Sequence, residues 1–264
     1  MIITDRFVFI HQPKCGGTFV TTVLKRIHGI SNRGTWRKLL GRKYDRRFGP
    51  IVDSSPRTIT HDGCRDIPAA HRDKPIVTTV RNPYDRYVSQ FYFKWWVRNP
   101  KKLGRTPQQI RQRFADFPDI SFAEFFELVN TPGVFRIPMA PEMKVTEHLG
   151  WQSLRFVYLY FKDPLAIYES IDEDYISQRR FEADMHPVRY LRVDRLNQDL
   201  HDFLIEMGYP PEATDPILKE KVIQPNHGTL RPDYRWENNY TDALKESVRK
   251  KESLIFAAFP DFDV

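Results

Sequence analysis

The chain has 264 residues, of which 41% are hydrophobic and 28% charged. This balance excludes an intrinsically disordered protein and predicts a single domain over residues 1–264. Its 41 Lys and Arg residues outnumber the 34 Asp and Glu residues by seven, so we expect an anionic partner. The chain has no apolar run of about 18 residues, no recognisable signal peptide and too few cysteines for a disulfide framework. We therefore expect no transmembrane segment and a reducing, cytoplasmic environment.

Strands and helices alternate along the predicted chain. An apolar run at Arg6–His11 predicts a buried strand, and the helix that follows carries an apolar face as far as Ile27. A second buried strand at Pro75–Val80 leads into a helix whose first turn begins at Pro83 and which is expected to extend through Trp95 and Trp96. Further strands are predicted at 155–161 and 188–193, and further helices from 121, over 196–207 and over 242–259. This order predicts an α/β fold with a mostly parallel central β-sheet flanked by helices.

The strongest local motif is HQPKCGGT, residues 11–18, between the first strand and the first helix. A glycine loop in this position directs backbone N–H groups and the positive end of the helix at an anion. Lys14 adds a cation and Thr18 a hydroxyl group. In an NTPase loop the lysine follows the glycines, whereas here it precedes them. The alternative is a tight strand–helix turn that happens to contain a lysine.

A second candidate for anion binding follows the second predicted strand. Arg81 stands at the carboxyl end of that strand, which is where ligands bind in open α/β sheets. Its guanidinium group suits a phosphate through two parallel hydrogen bonds. Ser89 follows eight positions later on the next helix. The alternatives are a surface arginine and a hydroxyl group on a helix surface.

Both motifs resemble those of the sulfotransferase family. Segment 11–18 resembles the family's 5′-phosphosulfate loop, and RNPYDRYVSQFY at 81–92 is similar to its 3′-phosphate segment. Weaker likenesses lie at 190–200 and at 225–231. The resemblance implies a P-loop-like sulfotransferase fold in one domain, with the sulfate donor PAPS (3′-phosphoadenosine 5′-phosphosulfate) and no metal. The implied donor-binding residues are Lys14, Cys15, Gly16, Gly17, Thr18, Phe19, Arg81, Ser89, Asn226 and Arg231.

The resemblance also implies the roles in transfer. An acceptor hydroxyl attacks in line with the departing phosphate, and Lys14 stabilises the leaving oxygen. The sequence has no cluster of metal ligands at convincing spacing. His61 is the candidate general base, at the end of a short strand predicted over 59–61. The rival bases are Asp62, Asp66 and Glu142, while His11 is expected to be packed or hydrogen-bonded beside the loop.

Two other functions remain open from the sequence. A P-loop kinase using ATP and magnesium is disfavoured by the position of the lysine. A non-catalytic binder of nucleic acid or another polyanion would use the basic stretches 31–50 and 98–115, but no nucleic-acid motif is present. For the acceptor, aromatic and basic residues that include Trp36, Trp95 and Trp96 favour a sugar or an acidic oligosaccharide. A protein tyrosine, a small phenol or a lipid remains an alternative acceptor.

Overall fold

The computed structural model describes residues 1–30, 48–53, 62–221 and 235–264. The chain forms two compact units, each assembled from two stretches of sequence. The first unit comprises Met1–Arg81 and Pro187–His227, and the second comprises Asn82–His186 and Gly228–Val264. The sequence-based prediction of one domain over the whole chain stays a prediction.

The first unit contains a five-stranded sheet in the order β3-β1-β2-β4-β5. The strands are β1 (Ile2–Ile3), β2 (Val8–Ile10), β3 (Val52–Asp53), β4 (Ile76–Val80) and β5 (Val188–Arg192). β2 pairs with β4 and β4 with β5 in parallel, whereas β1 is antiparallel to both β2 and β3. The sheet is therefore mixed, which corrects the prediction of a mostly parallel sheet. The two extra strands are two residues long, too short to produce a hydrophobic pattern in the sequence.

The parallel strands confirm the sequence-based predictions for this part of the chain. Every residue of β2 and β4 is buried, as expected for strands covered on both faces. The β4–β5 register pairs Ile76 with Val188 and Val80 with Arg192. The carboxyl ends of β2, β4 and β5 therefore lie along one edge of the sheet.

Three α-helices lie in the described part of the first unit. They are α1 (Gly17–Ile27), α10 (Leu196–Glu206) and α11 (Pro211–Thr214). The apolar faces of α1 and α10 share one buried cluster with strand residues that include Phe9, Val77 and Leu191. Gly29 and Gly208 follow α1 and α10 with φ of 70° and 77°, the left-handed conformation that ends many helices. The helices predicted as far as Ile27 and over 196–207 are thereby confirmed.

In its described residues the second unit is helical. Its α-helices are α2 (Pro83–Phe93), α3 (Trp95–Arg98), α4 (Pro107–Arg111), α5 (Phe122–Val129), α6 (Trp151–Tyr160), α7 (Pro164–Ile167), α8 (Glu173–Ser177), α9 (Phe181–Asp184), α12 (Asp242–Lys251) and α13 (Ser253–Ala258). Pro83 occupies the first turn of α2, and the Asn82 side chain accepts a hydrogen bond from the Tyr84 amide. Ser121 and Glu124 form a reciprocal cap at the start of α5, which confirms the helix predicted from 121.

The strand predicted at Arg155–Phe161 is wrong, because these residues belong to helix α6 and its C-terminal end. All ten residues of α6 are buried, so its sequence lacks the polar face that distinguishes a helix from a buried strand. A contact distant in sequence stabilises the start of this helix. The Glu252 carboxylate accepts hydrogen bonds from the amides of Gln152 (3.2 Å) and Ser153 (2.6 Å).

Two helices that the sequence predicts as continuous are divided in the structure. Trp95 and Trp96 were expected on the helix that begins at Pro83, but α2 ends at Phe93 and Lys94 adopts a φ of 48°. The predicted helix over 242–259 is likewise divided at Glu252 into α12 and α13. The apolar spacing on both sides of each break remains helical, so the pattern contains no signal for either break.

The loop expected at 31–50 and the strand expected at 59–61 lie largely or wholly outside the described residues. Within the part of the chain that the structure describes, no helix is long and apolar enough to cross a membrane.

Candidate anion-binding site

The loop between β2 and α1 has the backbone geometry of an anion-binding concavity. Lys14 and Gly16 have φ of 64° and 74°, so left-handed residues stand on either side of Cys15. Alternation of this kind turns successive amide groups toward the same point. Gly16 is the N-cap of α1, and no side-chain cap bond is formed there. The first amides of α1 are therefore placed to receive an anion.

Gly17 allows the His11 ring to lie directly against the loop. A Cβ atom built on Gly17 would stand 2.2 Å from Cδ2 and 2.4 Å from Nε2 of His11. On its other side the His11 ring stacks near Phe9, with centroids 6.2 Å apart and planes inclined by 29°. The expectation that His11 packs beside the loop is confirmed.

The imidazole of His11 is uncharged at neutral pH. Burial, together with the smaller effect of the positively charged N-terminus, lowers its pKa from 6.5 to about 4. Asp53 acts weakly in the opposite direction. A neutral ring in this position supports the loop without adding a charge to it.

The start of helix α10 packs behind the other glycine of the loop. A Cβ atom on Gly16 would stand 2.7 Å from Cδ2 of Leu196 and 3.7 Å from Cγ2 of Val193. Asp199, one turn farther along, accepts a hydrogen bond from the Arg192 amide (2.7 Å) and pairs with Arg195 (3.0 Å). The anchoring roles of Leu196 and Asp199 were not predicted, although the motif DRLNQD at 194–199 was the available signal.

Arg81 and Lys14 meet at the edge of the sheet. Nη1 of Arg81 lies 3.5 Å from the backbone oxygen of Lys14, at the outer limit of a hydrogen bond. Arg81 directly follows β4, and Lys14 follows the neighbouring parallel strand β2. Both side chains are half-buried. Two cationic residues from separate segments are thus brought together beside the loop amides.

The remaining predicted loop residues offer different groups to a ligand. The Cys15 and Phe19 side chains are buried, and the Phe19 amide donates to the Gly16 oxygen at 2.9 Å. Thr18 is exposed in the first turn of α1. A donor contact at Cys15 would therefore use its backbone, whereas one at Thr18 has a hydroxyl group available.

The remaining predicted site residues belong to other parts of the chain. Ser89 is half-buried on α2 in the second unit. His61, Asn226 and Arg231 lie outside the described residues, so their assignments stay predictions.

The three rival bases have defined surroundings. Asp62 pairs with the N-terminal amino group at 3.4 Å. The Asp66 carboxylate accepts the Gly63 amide at 2.7 Å, which fixes it as a cap of the local turn. Glu142 is exposed, and its backbone oxygen accepts the Tyr168 hydroxyl at 3.2 Å. Asp66 is the rival whose carboxylate is most clearly engaged in holding the backbone.

The described residues contain no group of three or more His, Cys, Asp and Glu side chains that could hold a metal ion. The groups gathered at this edge are amides, a lysine, an arginine and a neutral histidine. Such a set binds and stabilises oxyanions such as phosphate and sulfate.

These features define an α/β protein in which a glycine loop, a lysine and an arginine lie at the carboxyl ends of parallel strands. A model of the sulfotransferase family matches residues 2–174, about two thirds of the chain. The chain belongs to the sulfotransferase family. A search of curated proteins returned no match.

Proposed function

We propose that the chain transfers a sulfuryl group from PAPS to an acceptor hydroxyl, with a carbohydrate as the favoured acceptor. The family match supports sulfuryl transfer. The observation that carries the proposal is the meeting of Lys14 and Arg81 beside a glycine loop with left-handed turns.

The residues fit an anionic donor of this kind. The half-buried cations of Lys14 and Arg81 complement phosphate oxygens, and the neutral His11 does not add an uncompensated charge. PAPS supplies the sulfuryl group when bound. Lys14 stabilises negative charge on the phosphate side during transfer. Arg81 binds the 3′-phosphate, and the family resemblance assigns Ser89 to the same phosphate.

His61 serves as the general base in this proposal. A base is needed to accept the proton of the acceptor hydroxyl. The engagement of Asp66 with the Gly63 amide leaves that carboxylate poorly suited to the role. Asp62 and Glu142 remain the substitutes to examine after His61.

Aromatic and basic side chains of the second unit support a carbohydrate acceptor. Trp95 and Phe135 are half-buried, with ring centroids 5.9 Å apart. Lys101, Lys102 and Arg105 are exposed nearby in sequence. Aromatic faces stack on sugar rings, and cationic side chains complement carboxylate or sulfate groups.

The first test is calorimetric binding of PAP, the product of PAPS, in comparison with 5′-AMP. We expect Arg81→Ala to weaken PAP by about 2–4 kcal/mol, as for loss of a buried charge-assisted contact, and to leave AMP nearly unchanged. Arg26→Ala is the matched control, because Arg26 lies in the last turn of α1 and pairs with Glu220. Equal losses of PAP and AMP affinity in Arg81→Ala would contradict the assignment.

The second test separates this function from that of a kinase. Turnover with labelled PAPS is measured against oligosaccharides, peptides, phenols and lipids, with and without EDTA. We expect transfer to an oligosaccharide that persists in EDTA. Transfer from ATP that requires added magnesium would favour a kinase instead.

A further inference from the structure

A tight turn in the second unit has an exposed apolar tip. Ile137 and Ala140 form an antiparallel bridge, and the Ala140 amide donates to the Ile137 oxygen at 3.0 Å. Both of these residues are buried, whereas the two central residues of the turn, Pro138 and Met139, are exposed. Met139 is 56% exposed. Because the buried ends fix the turn, its backbone holds the methionine side chain in solvent.

The base of this turn is joined to a basic segment of the same unit. Nη2 of Arg136 donates to the Gly104 oxygen at 3.1 Å, and the Gly104 amide donates to the Val134 oxygen at 2.7 Å. Nη2 of Arg105 donates to the Pro132 oxygen at 3.3 Å. These three hydrogen bonds hold the two segments together, so the apolar tip lies close to the cations of both.

Four exposed cations on these joined segments form what we call the basic collar. Residues 86–115 and 128–141 contain no Asp or Glu. By contrast with Lys94, which lies 3.6 Å from Asp119, no member of the collar lies within ion-pair distance of a carboxylate in the described part of the chain. The members are Lys101, Lys102, Arg105 and Arg136. The collar therefore presents a positive charge that the described carboxylates do not neutralise.

An apolar tip beside such a collar fits the surface of an anionic lipid bilayer. Anionic headgroups attract Lys and Arg side chains, and a cluster of about four is typical of proteins that bind such surfaces. An exposed apolar side chain is stabilised when it leaves water for the region between headgroups and acyl chains. Lys101, Lys102 and Arg105 also support a carbohydrate acceptor in the proposed function, but a hydrated glycan offers no apolar phase to Met139.

We propose that the basic collar and the Pro138–Met139 tip dock the protein on an anionic bilayer. The collar contacts the headgroups, and the Met139 side chain enters the interface beneath them. This docking goes beyond the proposed function and does not depend on it, because it uses no nucleotide and no residue of the glycine loop.

Cosedimentation with vesicles tests the docking. Vesicles of equal parts phosphatidylserine and phosphatidylcholine should bind the wild type, whereas phosphatidylcholine alone should not. Binding should weaken at least about tenfold between about 0.1 and about 0.5 M NaCl. Lys101→Gln/Lys102→Gln should weaken binding about tenfold to thirtyfold, since two headgroup attractions are lost. Met139→Gln should weaken it about threefold to tenfold at constant charge.

Two matched controls belong to the same unit. Lys162→Gln/Lys250→Gln removes the same net charge from two exposed lysines outside the collar. Leu165→Gln removes an apolar side chain from a residue that is 37% exposed. Both should leave vesicle binding nearly unchanged. The melting temperature of every variant should stay close to that of the wild type, because the substituted side chains are exposed.

The outcomes separate this proposal from its rivals. A wild-type protein that does not bind the anionic vesicles overturns it, and PAP calorimetry tests the proposed function independently. Equal losses in the collar variant and in Lys162→Gln/Lys250→Gln would show an effect of net charge and contradict a docking surface. If the collar variant loses binding to a sulfated oligosaccharide while Met139→Gln binds vesicles as the wild type does, the collar serves a soluble polyanion and the proposal is wrong.

Discussion

The His11 ring occupies the space that a side chain on Gly17 would require. A Cβ atom at Gly17 would stand 2.2 Å from Cδ2 of His11, far closer than two carbon atoms can approach. The first turn of α1 therefore rests on the imidazole ring. The glycine at this position is needed for packing within the protein as well as for access of a ligand to the loop.

This contact predicts that Gly17→Ala damages the loop and that His11→Ala partly restores it. Alone, Gly17→Ala should destabilise the protein by about 1–3 kcal/mol through overpacking and should weaken PAP binding. In the His11→Ala background the added methyl group has room. The loss in free energy of unfolding caused by Gly17→Ala should therefore fall by at least about half. The measurements are urea unfolding and PAP calorimetry on the complete double-mutant cycle.

Gly16→Ala is the control for this cycle. Its obstacles are Leu196 and a φ of 74°, neither of which involves His11. His11→Ala should therefore leave the destabilisation caused by Gly16→Ala unchanged. Strictly additive effects of Gly17→Ala and His11→Ala would show that the ring does not restrict Gly17 in solution.

The lowered pKa of His11 also predicts an acid-sensitive part of the stability. Its pKa is lowered from 6.5 to about 4 in the folded protein, mainly by burial, so the unfolded chain binds more protons between these pH values. The resulting stability is fully present above pH 6.5 and is lost as the pH falls toward 4, on the order of 3 kcal/mol. Urea unfolding at pH 7 and pH 4.5 should show a smaller difference in His11→Ala than in the wild type.

His201 provides a control of opposite sign for the pH experiment. Its ring nitrogens lie 2.8 Å from Asp202 and 3.1 Å from Asp215, and these hydrogen bonds raise its pKa above 6.5. The stabilisation that it gives is present below pH 6.5 and is lost as the pH rises through the raised pKa. His201→Gln should thus leave the loss of stability toward pH 4.5 in place. An unchanged acid loss in His11→Ala would assign that loss to other groups.

A third prediction concerns the buried carboxylate that begins α6. Glu252 is fully buried and accepts hydrogen bonds from the Tyr87 hydroxyl and from the Gln152 and Ser153 amides. Burial raises its pKa above the usual carboxyl value. Glu252→Ala leaves these donors unsatisfied, so we expect a loss of at least about 3 kcal/mol in urea unfolding.

Two variants define this third prediction more closely. Tyr87→Phe removes one donor and should cost about 1–2 kcal/mol. Glu246→Ala is the surface control, because Glu246 is exposed and its contact with Arg249 is 3.4 Å long. It should change the free energy of unfolding by less than about 0.5 kcal/mol. A Glu252→Ala protein as stable as the Glu246→Ala protein would contradict the role of Glu252 at α6.

The same carboxylate explains why part of the fold could not be predicted from sequence. β2, the glycine loop and α1 were predictable because each carries a local signal: an apolar run, two glycines and a helical apolar face. For α6 the stabilising cap comes from Glu252, about 100 positions away, and every residue is buried. A local pattern contains no information about such a contact.

The candidate site likewise combines residues that the sequence predicts with contacts that it does not. Lys14 and Arg81 were predictable because each stands in a motif beside a predicted strand. The packing of Leu196 behind Gly16 was not, because it joins residues about 180 positions apart in the sequence. The contact between His11 and Gly17 required the ring to turn back onto the loop, a conformation that residue spacing does not specify.

The last prediction is that substitutions of Lys14 and of His61 impair different steps of the reaction. Lys14 stands in the loop with a φ of 64°, so its charge and its backbone conformation both contribute to the site. Lys14→Ala should weaken PAP and reduce turnover, because the charge on the phosphate side is lost. Lys14→Gly loses the same charge but relieves the left-handed strain, so it should be more stable than Lys14→Ala by roughly 1 kcal/mol with no better turnover.

His61→Ala should leave PAP affinity intact while turnover falls by about a hundredfold or more, because only removal of the acceptor proton is affected. Its rate should also lose the pH dependence that an ionising histidine base gives. Calorimetry with PAP and steady-state rates between pH 5.5 and 8.5 measure both properties on the same variants. Wild-type turnover in His61→Ala would place the base elsewhere, and turnover of Asp62→Asn and Glu142→Gln would then be measured. Asp66→Asn is expected to lower stability instead, because the Asp66 carboxylate holds the Gly63 amide.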